Sequence, residues 1–177
     1  FKFGMIRALV AFGLLVSGQG PALAQALDAM PVAALPAPRL TFSEQEMQLA
    51  QRVSSSPALA DFYSTNGLRP IFLGADGASR RAALIEAVGQ AGSHGLPQAR
   101  YRETTLRRLD RAGPRTVDEE LQFARVFAEW SHDITGGILD PRKVESGIKR
   151  EVKRPRTGDL MRDFATAADP AAVLAKL

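Results

Sequence analysis

The longest helical pattern in the chain runs over residues 116–141 and constrains the fold more than any other stretch. Its large apolar residues recur at i, i+4, i+7 and i+11, which places them on one face of an α-helix. They are Phe123, Phe127, Trp130 and Ile134. Thr116 and Glu119 have the spacing of a capping box and predict where the helix begins. The acids at 118–120 place negative charge at the positive end of the helix dipole. Two glycines, at positions 136 and 137, predict its end, so the pattern indicates one long core helix.

Shorter helical patterns cover most of the chain from residue 43 to its end. They begin at Ser43, Pro57, Ser79, Thr104, Asp159 and Pro170. In the helix that begins at Ser79, Arg80 and Arg81 are expected to face solvent. Residues 69–73 are instead a β-branched and aromatic run with a proline, which indicates an edge strand or an extended buried connection. The patterns together predict a mainly α fold of about five to seven helices with at most one short extended segment, near 69–73.

The first 24 residues have the three parts of a secretory signal. Lys2 and Arg7 form the basic part, residues 8–16 the apolar part, and residues 22–24 (Ala-Leu-Ala) the cleavage site. An uncleaved N-terminal anchor is the alternative, although the apolar run is shorter than the roughly 20 residues that span a membrane. Residues 25–40 are rich in alanine and proline and predict a disordered or extended leader. We therefore expect export through a Sec-type signal to the bacterial periplasm, where a chain without disulfides can fold.

Cysteine is absent from the 177 residues, which excludes disulfides, thiolate metal sites and a cysteine nucleophile within them. The two histidines, His94 and His132, do not have the spacing of a metal motif. Glu86 and Glu129 are the only acids in strongly apolar helical surroundings, and a small wall-cleaving enzyme that uses one of them is one hypothesis for the function. No motif for a serine nucleophile or for phosphate binding is present. We therefore predict no catalytic, cofactor-binding or metal site in this chain.

Residues 143–156 carry six basic residues and only two acids, Glu145 and Glu151. Such a run is compatible with contact to nucleic acid, anionic lipid or acidic wall polymers. It has no aromatic residue to stack on bases, and an exported chain does not meet nucleic acid, so we expect no nucleic-acid partner. A solvated connection between helices is the favoured interpretation. Alanine at Lys149 or Arg154 is then expected to change the free energy of unfolding by no more than about 0.5 kcal/mol.

Three segments, in order along the chain, carry a resemblance to a known family. They are Phe62-Tyr63 with residues 66–72 (Asn-Gly-Leu-Arg-Pro-Ile-Phe), the helix at 81–92 with His94-Gly95-Leu96 and Tyr101, and the helix end at 137–141 (Gly-Ile-Leu-Asp-Pro). Together they resemble the N-terminal scaffold domain of large, multi-domain bacterial L,D-transpeptidases. The similarity spans residues 42–144 and is weaker from there to Leu177. Phe72 departs from the family pattern, which often has tryptophan at this position.

The resemblance implies a function that the residues alone do not indicate. Enzymes of this family lie in the periplasm and form 3–3 cross-links between peptidoglycan stem peptides through an acyl-enzyme on a cysteine. That cysteine belongs to a C-terminal catalytic domain, so the implied partners of this chain are that domain and, through it, the stem peptides. The membrane would be contacted only through an uncleaved signal. The alternative function is a free-standing helical envelope module that binds peptidoglycan.

The predicted domain organisation has five parts. They are a signal peptide at 1–24, a disordered leader at 25–40, a helical scaffold domain at 41–144, a basic connection at 145–157, and the start of a further helical segment, cut short, at 158–177. The last helix has Val173, Leu174 and Leu177 on one apolar side and is only about two turns long, too short to be stable alone. We therefore expect the reading frame to continue past Leu177.

Overall fold

The computed structural model describes residues 41–139 and 153–177. Within these residues the chain forms seven α-helices and no strand. The helices are α1 (Glu44–Val53), α2 (Pro57–Thr65), α3 (Ala78–Gly89), α4 (Glu103–Ala112), α5 (Val117–Gly136), α6 (Thr157–Thr166) and α7 (Pro170–Leu174). Two 3₁₀ segments, Ala91–His94 and Gln98–Tyr101, connect α3 to α4. The predicted mainly α fold is confirmed.

The predicted signal peptide at 1–24, the leader at 25–40 and most of the basic run at 143–156 lie outside the described residues. Export and the alternative of an N-terminal anchor therefore stay predictions. Of the helices that the structure describes, none combines the length and the apolar character needed to cross a bilayer.

Helix α5 packs against α1, α2, α3, α4 and α6. Its predicted capping box is present, because Thr116 Oγ1 accepts from the Glu119 amide at 3.3 Å and the Glu119 carboxylate accepts from the Thr116 amide at 2.9 Å. The helix ends at Gly136, and Gly137 follows at a φ of 76°. Its predicted apolar face is buried at Phe123, Phe127 and Trp130 and half-buried at Ile134. The long core helix is thus confirmed, with both ends set by local sequence.

Four phenylalanines from three parts of the chain form the aromatic centre of the core. Phe123 and Phe127 belong to α5, Phe164 to α6, and Phe72 to the connection between α2 and α3. Phe72 stacks on Phe123 with the ring centroids 5.5 Å apart and lies 5.9 Å from Phe164. Phe127 lies 4.9 Å from Phe164. All four side chains are fully buried, so the connection and the two helices share one hydrophobic core.

Helices α6 and α7 pack onto helices that precede residue 140. Helix α6 contacts α2 and α5, and α7 contacts α3. Gly158 permits the close approach of α6 to α2, because a Cβ atom at this position would lie 2.6 Å from Asp61 Oδ2. Thr41–Leu177 form one compact unit. The boundaries proposed inside this unit, at 144 and 157, stay predictions.

Residues 69–73 form no strand and belong to an irregular connection that bends at 71–73. Arg80 and Arg81 do not face solvent as the helical pattern predicts, because both turn toward this connection. Arg81 is 6% exposed and donates to the Phe72 carbonyl at 2.6 Å, and Arg80 donates to the Ile71 carbonyl at 2.6 Å. The physical reason is that a buried segment without a strand partner leaves its carbonyls in need of donors. The two arginines supply them.

Candidate functional site

Among the described residues, two acids lie in the core, and they are not Glu86 or Glu129. Glu86 is exposed and Glu129 is only half-buried, so neither is the buried acid that a wall-cleaving enzyme needs. Glu120 is fully buried and Asp133 is 2% exposed. Both lie on α5, each three residues from an aromatic residue of the buried face, and therefore on that face themselves. This spacing is the signal in the sequence by which they could have been found.

Glu120 holds the connection at 69–73 against α5. Its carboxylate accepts three hydrogen bonds: from the Tyr63 hydroxyl at 2.5 Å, from the Ile71 amide at 2.7 Å and from the Phe72 amide at 2.8 Å. Because Tyr63 belongs to α2, one carboxylate joins α2, α5 and the connection. Its oxygens take the place of the carbonyl acceptors that a neighbouring strand would provide. The connection is therefore held without a sheet.

The burial of Glu120 links the stability of the fold to pH. Burial raises the pKa of this carboxyl above its ordinary value of 4.5, and the hydrogen bonds from Tyr63, Ile71 and Phe72 oppose the rise. The folded state therefore binds the proton more tightly than the unfolded state does. The contribution of this proton to the free energy of unfolding is complete below the ordinary pKa and is lost as the pH rises through the raised pKa.

We expect this linkage to appear when the wild-type chain and a Glu120→Gln variant, which has no titrating group at this position, are unfolded with urea at a series of pH values. Carboxyls whose pKa is lowered, such as those of Glu46 and Glu119, act in the opposite direction. They are present in both proteins and cancel in the difference. The difference in the free energy of unfolding should shrink as the pH rises from about 4.5 toward neutrality. A difference that is constant with pH would contradict the linkage.

Asp133 connects α5 to the 3₁₀ segment Gln98–Tyr101. Its Oδ2 atom accepts from the Tyr101 hydroxyl at 2.9 Å and lies 2.9 Å from Arg100 Nε. Its Oδ1 atom lies 3.2 Å from His132 Nδ1. Burial of Tyr101, reinforced by the hydrogen bond to the carboxylate, raises the pKa of the phenol well above its usual range. The buried charge of Asp133 is thus balanced by an arginine and by hydrogen bonds, as a buried carboxylate requires.

Arg154 joins the end of α5 to the segment that leads into α6. Its guanidinium donates to the carbonyls of Gly136 and Gly137 at 2.9 and 3.0 Å and lies 2.8 Å from His132 Nε2. A guanidinium only donates and the carboxylate of Asp133 only accepts, so the ring of His132 accepts at Nε2 and donates at Nδ1. The bonded carbonyls are among those that a helix leaves unpaired at its C-terminus. Arg154 therefore caps α5 from outside the helix.

Alanine at Arg154 is expected to lower the free energy of unfolding by about 1–2 kcal/mol, because a half-buried side chain loses its bonds to a helix end. This value replaces the smaller effect predicted from a surface position. Lys149, the other position of that prediction, lies outside the described residues. Lys153→Ala is the matched control, since Lys153 is exposed and should change stability by no more than about 0.5 kcal/mol. Urea unfolding measures both, and equal losses would contradict the capping role.

The two carboxylate clusters are arranged to hold segments together rather than to react. The oxygens of Glu120 and Asp133 are already bound by donors of the fold. The hydroxyl of buried Ser131, two residues before Asp133, donates to the Ala128 carbonyl. Across residues 41–139 and 153–177, no three histidine, aspartate or glutamate side chains come together as a metal ion would require. These contacts stabilise the junctions of α5 with its neighbours.

A groove of about 350 Å³ is lined by residues of α3, α5 and the C-terminal end of the chain. Its lining residues are Glu86, Ala87, Gln90, His94, Trp130, Ile134, Leu174, Ala175 and Leu177. Trp130 is 3% exposed, and its indole Nε1 has no hydrogen-bond acceptor in the part of the chain that the structure describes. Glu86 is exposed here and accepts from Gln90 Nε2 at 2.7 Å. The groove thus brings Glu86 and His94 to one surface, but none of the described residues that line it is the buried acid that wall hydrolysis needs.

Basic charge is concentrated around α4. Residues 100–115 contain six arginines and two acids. The described residues taken together contain sixteen basic and fifteen acidic residues, so they are nearly neutral. From the sequence, the helix that begins at Thr104 is also basic, but contact with a polyanion is considered only for residues 143–156. The signal was available, because the excess of arginine between Arg100 and Arg115 is visible in the sequence.

The comparison with protein families gives one match. The model of a family described as Scaffold domain matches residues 57–177. The match begins with the first residue of α2, covers well over half of the chain, and includes Glu120, Asp133 and helices α6 and α7. No curated protein and no solved structure matches the chain.

Proposed function

Because this chain belongs to the Scaffold domain family, we propose that it is the scaffold portion of a periplasmic L,D-transpeptidase, an enzyme that forms 3–3 cross-links in peptidoglycan. One observation carries the proposal. Tyr63 and Tyr101 belong to two of the segments that resemble the L,D-transpeptidase scaffold, and they are the residues whose hydroxyls bind the two buried carboxylates. Through these hydrogen bonds the two tyrosines hold α5 to its neighbours, and a scaffold needs such fixed junctions.

The role of this chain would be to hold another domain in position. The chain contains no cysteine, so the cysteine on which such an acyl-enzyme forms would belong to a catalytic domain encoded after Leu177, with a motif of the form H…S-x-G-C-x-R. The helical core would hold that domain in a fixed orientation toward the stem peptides. Fixed orientation contributes large factors to a reaction between two bound substrates, so a scaffold without catalytic residues still affects rate.

The test is to read the gene past Leu177 and to assay its intact product. We expect the frame to continue into the cysteine motif, and the intact protein to form 3–3 cross-linked dimers from wall fragments that carry stem peptides. Replacing the cysteine by alanine should abolish the dimers, and fractionation should find the protein in the periplasm. A stop codon soon after Leu177, or an intact protein that makes no such dimers, would overturn the proposal.

The alternative is a free-standing helical module that binds peptidoglycan in the envelope. The excess of arginine at 100–115 favours it, because such a surface attracts acidic polymers. An early stop codon together with binding to purified peptidoglycan would support this alternative. The third hypothesis, a wall-cleaving enzyme, is tested by Glu86→Gln and Glu129→Gln. A variant that keeps full activity in a wall-digestion assay would remove that residue from consideration.

A further inference from the structure

The outward face of α4 is formed by arginine. Arg107, Arg108 and Arg111 are exposed and fall within one side of the helix, whereas Leu106 is buried on the opposite side. Arg102, immediately before the helix, is also exposed. The helix has ten residues and is therefore about 15 Å long. We call Arg102, Arg107, Arg108 and Arg111 the arginine strip.

The two acids within the α4 stretch are already engaged. Glu103 binds Arg107 at 2.7 Å and also accepts from Gln98 at 2.7 Å. Asp110 binds buried Arg81 at 2.6 Å. The other members of the strip, Arg102, Arg108 and Arg111, form no ion pair with any residue that the structure describes. Their charge is therefore available to an external anion.

A groove of mixed charge lies beside the strip. It has a volume of about 260 Å³, lies between α3 and α4, and has Arg107 and Arg111 in its lining together with Asp110 and Glu86. The planar guanidinium forks of arginine match the two oxygens of a carboxylate better than the single ammonium of lysine does. Residues 100–115 contain no lysine.

We propose that the arginine strip binds the free carboxylates of peptidoglycan stem peptides; this assignment rests on the proposed function for its choice of polymer. Two observations favour it over other polyanions. The large apolar side chains exposed in the described residues are Phe42, Met47, Ile138 and Leu139, none of them on α4, so the strip has nothing to insert into a bilayer. The aromatic residue of the stretch, Tyr101, is buried, so no ring is free to stack on bases.

The test measures binding of the full chain to purified bacterial sacculi in a sedimentation assay at two salt concentrations. We expect wild-type binding that weakens as salt rises, because the contacts are between exposed charges. Arg108→Glu combined with Arg111→Glu should weaken binding by about tenfold or more. Sacculi whose carboxyl groups have been converted to amides should bind the wild-type chain as weakly as native sacculi bind this variant.

The matched control combines Arg69→Glu with Arg125→Glu. Both residues are exposed and lie outside the strip, and the two substitutions change the net charge by the same amount as those at Arg108 and Arg111. It should bind sacculi like the wild-type chain, and far-UV circular dichroism should show that both variants are folded. Equal losses in the two variants, no effect of amidation, or preferential binding to phosphatidylglycerol vesicles or to a DNA oligonucleotide would each overturn the inference. Sequencing past Leu177 tests the proposed function separately. A cysteine motif together with no binding to sacculi would contradict the binding role of the strip alone. Binding to sacculi without that motif would contradict the transpeptidase proposal alone.

Discussion

Alanine at Glu120 is expected to lower the free energy of unfolding by about 3–5 kcal/mol. The substitution removes the acceptor of the Tyr63 hydroxyl and of the Ile71 and Phe72 amides, all of which belong to buried residues. Each buried donor that is left without an acceptor costs about 1–3 kcal/mol. Removal of a buried charge offsets part of the sum, because taking a carboxylate out of water is itself unfavourable. Urea unfolding followed by the fluorescence of Trp130, the single tryptophan of the chain, measures the loss.

Asp118→Ala is the matched control for Glu120→Ala. Asp118 lies on the same helix, its side chain is 61% exposed, and it forms an ion pair with the equally exposed Arg52. Its removal should cost less than about 1 kcal/mol, from the helix dipole and a solvent-screened ion pair. Glu120→Gln should fall between the two, since one acceptor oxygen remains. If Glu120→Ala lost no more stability than Asp118→Ala, the carboxylate would not hold the connection at 69–73.

Alanine at Trp130 is expected to cost about 3–5 kcal/mol, the usual range for deleting a large buried aromatic side chain. Trp130 is 3% exposed and belongs to the buried face of α5, so the deletion leaves a cavity beside the groove. Unfolding must be followed by far-UV circular dichroism, because the variant has no tryptophan. A loss below about 1 kcal/mol would mean that this side of α5 is not packed.

Trp130→Phe separates the packing of the ring from its hydrogen bonding. The indole Nε1 has no acceptor among the described residues, so phenylalanine loses volume but no hydrogen bond. We expect a loss of about 1–2 kcal/mol, well below that of alanine. A loss as large as that of Trp130→Ala would show that the indole nitrogen contributes a bond of its own, and would contradict the packing explanation.

Local interactions account for what the sequence predicts correctly. The predicted capping box at Thr116 is formed by residues three positions apart and is present in the structure. Ser43 and Glu46, also three positions apart, form another at the start of α1. The apolar spacing of α5 likewise depends only on the helical repeat, and its buried face follows from that repeat. The mainly α class needs no more than these periodicities. Periodicity shows which residues share a face, but not which neighbour covers it.

The hydrogen-bond partners of the polar residues could not be predicted in the same way. Glu120 binds Tyr63, 57 positions away in the chain, and Asp133 binds Tyr101, 32 positions away. The helical spacing places Glu120 on the buried face of α5, but a charged residue near the start of a helix also has a local interpretation as dipole charge. No local rule therefore identifies the donors that Glu120 binds. Arg81 turns inward for a related reason, because its guanidinium donates to the carbonyl of Phe72.

The sequence by itself therefore determined the helices, their ends and the absence of cysteine chemistry, because each depends on neighbouring residues or on composition. Only the tertiary structure decided that Glu120 and Asp133, rather than Glu86 and Glu129, are the buried acids. It also decided that the connection at 69–73 is held by side chains and not by a sheet. Burial and hydrogen bonding are set by which segments meet, and segments that meet here are far apart in the chain.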